Sequence, residues 1–141
     1  MSSDLLTIAS TSLDVRRALD WIASQISSSP FDHRRDDITL AASEVLNNIV
    51  RHGYAEAVNG RIDLEIRQTD TGLTLVITDT APLSLPEAIE SETHDFPKIE
   101  DIPRDELPES GFGLALIYAC ADGVTFERLV DRNVTVLEFL S

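Results

Sequence analysis

Hydrophobic and polar positions along the chain switch repeatedly between a strand-like and a helical period. Residues 5–9 are a short apolar segment that predicts a strand. Ser10-Thr11-Ser12 follow as candidate caps for a helix starting near Leu13. Val15, Ala18, Leu19, Ile22 and Ile26 then recur at helical spacing, with Trp21 beside them, until Ser27-Ser28-Ser29-Pro30 stops the pattern. A longer helix is predicted over about residues 36–52, with Ile38, Ala42, Val45, Leu46 and Ile49 on one face and Gly53 just past its expected end. After Gly60 the period becomes two. Ile62, Leu64 and Ile66 alternate with Arg61, Asp63, Glu65 and Arg67, and Leu73, Leu75 and Ile77 resume the alternation beyond a turn at Asp70-Thr71-Gly72, Val76 being the apolar exception. That is a β-hairpin. Ser110-Gly111-Phe112-Gly113 opens an apolar helix running to Ala121, and residues 124–129 and 134–140 form a second hairpin. The order β-α-α-β-β-loop-α-β-β, without internal repeat, predicts an α+β sandwich with helices on one face of a largely antiparallel sheet.

Composition adds limits to this picture. At 141 residues, 43% hydrophobic and 26% charged, the chain has the size and make-up of one globular domain with one core. Its 25 acidic side chains against 11 basic ones give a net charge of −14, which argues against a nucleic-acid partner, because such binding needs Lys and Arg to neutralise phosphates. No apolar run approaches the roughly 20 residues of a membrane helix, and the N-terminus lacks a secretory pattern, so a cytoplasmic location is expected. The lone Cys120 sits in an apolar stretch and reads as a buried thiol. Five of the six prolines fall in residues 82–108, and residues 87–109 hold nine acids against Lys98 and Arg104. Half of the charge excess therefore lies in one segment too polar for a core, the mark of a long surface loop.

Three groups of residues could carry chemistry. Glu44, Asn48 and His52 are four apart, so each lies about 40° around the helix from the last and the three share a face, flanked by Asn47 and Arg51. A carboxylate, an amide oxygen and an imidazole in that row suit magnesium ligation and proton transfer; a solvated face with His52 near the dipole's negative end would use the same letters. Asn-Asn in mid-helix favours a use other than helix formation. Asp79, at the end of the second hairpin strand with Thr80, Ala81 and Pro82 behind it, could accept a hydrogen bond from a ligand amino group or simply make a turn. Ser110, Gly111, Phe112, Gly113 and Leu114 place two glycines at a helix start, where backbone N–H groups can meet a phosphate, or where Ser110 serves only as a cap.

Taken together, Glu44-x-x-x-Asn48-x-x-x-His52-Gly53-Tyr54 on a helix, Asp79 ending a strand, a long loop, and Gly111-x-Gly113-Leu114 opening a helix resemble the ATP-binding domain of the GHKL superfamily. The superfamily includes gyrase, histidine kinases and mismatch-repair ATPases. The short chain, the His-Gly-Tyr ending and the closing hairpin with Asn133 look most like the anti-sigma-factor serine/threonine kinases of bacterial partner switching. The resemblance implies a two-layer sandwich of the GHKL (Bergerat) type over residues 1–141, with an ATP lid at about 84–110. It implies ATP and Mg²⁺ as cofactors: Asn48 on the metal, Glu44 activating the attacking hydroxyl or water, and Asp79 reading the adenine amino group. His52, Thr80 and Ala81 would line the nucleotide, and Ser110 to Leu114 would embrace its phosphates. A sigma factor and an anti-anti-sigma antagonist of STAS type would be the partners, with homodimerisation also expected. The family's Asp-x-Gly-x-Gly reads here Asp79-Thr80-Ala81-Pro82-Leu83, so both glycines are replaced, and Glu109 precedes the phosphate-binding glycines. Two alternatives stay open beside the kinase: a non-catalytic module that sequesters a partner, and an ATPase acting on water alone.

Overall fold

The computed structural model describes residues 2–54, 59–82 and 109–141, with helices on one face of an antiparallel sheet. The elements are β1 (Ser2–Ala9), α1 (Ser12–Ile26), a short 3₁₀ turn (Asp32–Arg34), α2 (Arg35–Asn48), a π turn (Ile49–Gly53), β2 (Arg61–Gln68), β3 (Gly72–Asp79), α3 (Glu109–Cys120), β4 (Gly123–Arg128) and β5 (Asn133–Leu140). The five strands lie in the order β1-β2-β3-β5-β4, every neighbouring pair antiparallel. The expected α+β class and element order are those observed.

Local chemistry explains the boundaries. Of the three candidate caps it is Thr11 that caps α1, accepting the Asp14 N–H on its side-chain oxygen, while Asp14 accepts the Ala9 N–H at 2.8 Å. The stop after Ile26 uses Ser28 in the left-handed region (φ 64°), where a helix end often turns. The predicted helix faces are the buried ones. Val15, Ala18, Ile22 and Ile26 of α1 and Ile38, Ala41, Ala42, Val45 and Leu46 of α2 pack on Ile62, Leu64, Ile66, Leu73, Leu75, Ile77, Leu137 and Phe139 of the sheet. Such burial is the main favourable term in folding. The alternate positions Glu65, Val76 and Val136 pair across the outer face with Leu5, which is 75% exposed.

Arg34, at the start of α2, joins three elements. Its guanidinium donates to the Asp122 carboxylate (2.8 Å), the Leu140 carbonyl (2.7 Å) and the Cys120 carbonyl (3.1 Å), and stacks 5.7 Å from the centre of the Phe139 ring. The Cys120 end of α3 thus sits beside the start of α2. As the two helices pack together, they run antiparallel, and the glycine-containing start of α3 is directed toward the Asn48 end of α2.

Candidate functional site

Glu44 and Asn48 lie one turn apart near the C-terminal end of α2, Glu44 half-buried and Asn48 buried. Loss of water around Glu44 raises its pKa above the ordinary glutamate value, with the Arg51 charge opposing. The shift moves the group toward the range in which a carboxylate accepts a proton effectively. Asn47 bonds to Ser43 within the helix instead, its amide donating to the hydroxyl at 3.2 Å.

Beyond Asn48 the α-helix widens into the π turn, closed by the Tyr54 N–H donating to the Ile49 carbonyl at 2.8 Å. His52 and Gly53 therefore lie inside the turn, and Gly53 is not the residue past the helix end that the spacing predicts. Tyr54 closes the turn because its hydroxyl is fixed at the sheet: it donates to the Arg61 carbonyl (2.7 Å), accepts the Thr80 N–H (2.8 Å) and lies 3.0 Å from the Thr80 hydroxyl. Its ring passes so close to Gly60 that a Cβ there would stand 2.7 Å from ring carbons. Gly60 also exchanges hydrogen bonds with Ser10, fastening the end of β1 to the start of β2.

Tyr54 thereby brings the helix end to the second group of candidates. Asp79 is the last residue of β3 and only 3% exposed. Its Oδ1 accepts the Ala81 N–H at 2.9 Å and the Asn133 amide at 2.8 Å. Burial raises its pKa; the Asn133 and Ala81 hydrogen bonds and the Arg128 charge pull the other way. Such a carboxylate, embedded at the end of a sheet, is suited to a ligand that donates a hydrogen bond. Ala81 is buried beside it and Thr80 is exposed.

The third group opens α3. The helix begins at Glu109, so Ser110 is its second residue and not its cap, and Gly111 and Gly113 follow within the helix. Leu114 is buried in the core. The predicted lid, about 84–110, falls outside the described residues up to residue 108.

Among the described residues no three His, Cys, Asp or Glu side chains converge as a metal cluster. Asn48 nevertheless offers a hard amide oxygen of the kind magnesium accepts. That ion commonly takes one or two protein ligands and fills its shell with water and phosphate oxygens, so Asn48 fits a metal carried by a nucleotide. A polar cleft of about 210 Å³ lined by Asp32, His33, Arg35 and Asp36 lies at the opposite end of α2, away from these groups.

Two members of the site escaped the sequence as contributors: Arg128, and Asn133 in its contact with Asp79. The turn predicted between the last two strands sets Arg128 opposite Asn133, but nothing local sets β5 beside β3.

Residues 8–139 match the family model described as the histidine kinase-like ATPase domain. The chain is 33% identical over 106 residues to a protein named serine-protein kinase RsbW of Oceanobacillus iheyensis, the match covering 75% of this chain and 66% of that one. It is 29% identical over 103 residues to a protein named anti-sigma F factor of Clostridium botulinum, covering 71% and 66%. The match thus spans slightly less than two thirds of these relatives. The crystal structure of the RsbU and RsbW domains of a Mycobacterium tuberculosis protein superposes with a TM-score of 0.66 at 18% identity, over 99% of this chain and 32% of that one, a likeness of fold.

Proposed function

The chain belongs to the histidine kinase-like ATPase domain family, and from that premise we propose that it is an ATP-binding anti-sigma factor that sequesters a sigma factor and phosphorylates a serine or threonine of an anti-anti-sigma antagonist. One observation carries this reading. The Glu44–Asn48 end of α2, the Asp79–Ala81 end of β3 and the direction of the α3 start all converge on one end of the molecule.

In this reading Asp79 accepts the adenine amino group, with Thr80 and Ala81 beside it. His52 and Ser110 to Leu114 complete the nucleotide site, and the segment at about 84–110 acts as its lid. Asn48 would hold magnesium through its amide oxygen; when bound, that ion neutralises charge on the phosphates. The antagonist's hydroxyl oxygen forms a bond to the γ-phosphorus as the bond to the β–γ bridging oxygen breaks, ADP leaves, and Glu44 takes the hydroxyl proton. Phosphoryl transfer asks little more of a protein than this positioning and charge stabilisation.

The test is to incubate the purified chain with γ-labelled ATP and a cognate antagonist. Label is expected on the antagonist, and is expected to vanish in Glu44→Ala and Asn48→Ala. A second reading, a non-catalytic binding module, is favoured by the replacement of both motif glycines by Ala81 and Leu83; partner binding without any label transfer would establish it over the kinase. Phosphate release with no partner present would instead indicate an ATPase acting on water.

A further inference from the structure

Where β3 leaves the sheet, Ala81 stands in place of the first glycine of the family motif, and the backbone of Thr80 and Ala81 is held by side-chain hydrogen bonds. The Thr80 N–H goes to the Tyr54 hydroxyl and the Ala81 N–H to Asp79. The Ala81 carbonyl accepts from Arg128 Nη1 (2.8 Å) and from the Asn133 amide (3.1 Å). Arg128 Nη1 also donates to Asn133 Oδ1 at 2.9 Å, which orients that amide so that its Nδ2 donates to Asp79 Oδ1 at 2.8 Å. Register explains the meeting: Asp79 is paired directly with Asn133, and Asn133 with Arg128, in one row across β3, β5 and β4. Directly opposed residues share a face, so the three side chains point the same way.

We propose that Asn133 and Arg128 are positioning residues of the nucleotide site. Arg128 sets the Asn133 amide, and the two together fix the Asp79 carboxylate and the Ala81 carbonyl in the arrangement that reads a purine amino group. The inference rests on the nucleotide reading given above. Both Oδ1 bonds come from fixed donors, so the carboxylate is rotationally locked and an incoming amino group meets an acceptor already oriented, which lowers the ordering cost of binding. Arg128 is the charged side chain that bears on Asp79 among the described residues. Together with the Asn133 hydrogen bond, it favours the ionised form that an amino donor requires.

The test compares ATP affinity by calorimetry between pH 4.5 and 8 for the intact chain, Asn133→Ala, Arg128→Met, Arg128→Lys and, as a control in the hairpin turn, Arg132→Met. Loss of the buried Asn133 contact is expected to weaken ATP binding about tenfold, and loss of the exposed Arg128 about threefold. In both variants the acid limb of binding is expected to move to higher pH, because the groups that keep Asp79 ionised are gone. Arg128→Lys should recover most of the affinity, and Arg132→Met should match the intact chain. A merely structural contact would lower the melting temperature without moving the pH limb. If the intact chain binds ATP and the first two variants show unchanged affinity and pH profile, this inference alone is overturned. Should one of the first two variants fail to fold, the other decides it: weakened affinity with a displaced acid limb supports the role, and an affinity and pH limb equal to the intact chain's oppose it. If the intact chain binds no ATP, both the inference and the reading beneath it fall.

Discussion

At the scale of single residues, two carboxylates removed from water define the site, and their shifts have opposite uses. Glu44 is raised by burial, which suits a base. Glu44→Gln keeps the shape and removes the proton acceptor, so label transfer should fall by about 10²–10⁴-fold while calorimetric ATP affinity holds. Asp79 must stay ionised to accept an amino group although burial raises its pKa above 3.8. Asp79→Asn should weaken ATP binding by about 1–3 kcal/mol. The same shift has a consequence for stability. With the folded pKa above the unfolded one, the folded state holds more protons as pH rises from 3.8 through the folded value. Stability contributed at Asp79 therefore declines across that window. In urea unfolding, the stability of the intact chain relative to Asp79→Asn should fall as pH is raised from 3.5 to 7, and a flat difference would contradict the shift.

At the scale of elements, the join between the π turn and the sheet end is the most constrained part of the site. Tyr54 can reach Arg61 and Thr80 only by laying its ring over Gly60, where there is no space for a Cβ. Gly60→Ala should displace the ring and cost roughly 1–3 kcal/mol in denaturant unfolding. It should also weaken ATP binding, since Thr80 loses its anchor. In the Tyr54→Ala background the same substitution should cost far less, and such coupling is what a double-mutant cycle measures. Additive costs would mean that ring and glycine do not compete for the space.

At the scale of the whole molecule, the antiparallel pairing of α2 and α3 and the sheet order draw distant candidates to one end. A nucleotide bound there should stabilise the fold, by about 2.7 kcal/mol at a hundredfold excess over Kd, seen as a rise in melting temperature that is larger with magnesium than without. No rise at all would remove the nucleotide from the account. The charge of −14 also predicts partner surfaces with basic patches, and association that slows and weakens as salt rises from 50 to 500 mM; insensitivity to salt would oppose it.

Much of this architecture was legible in the chain because it is local. Period two marked the first hairpin, period 3.6 marked the buried faces of α1 and α2, and spacing by four aligned Glu44 with Asn48. The end of α2 departs from its spacing at Gly53, since the π turn answers to Tyr54 and its partners at Arg61 and Thr80 rather than to helix propensity. Arg34 at the junction of α2, α3 and β5, and the meeting of Arg128 with Ala81 and of Asn133 with Asp79, had no sequence signature: the residues that meet are 47 to 106 positions apart. Periodicity records how each segment divides its surface between core and water. Which ends of those segments meet was decided by placing β5 between β3 and β4, a choice governed by the packing of the whole sheet against its helices.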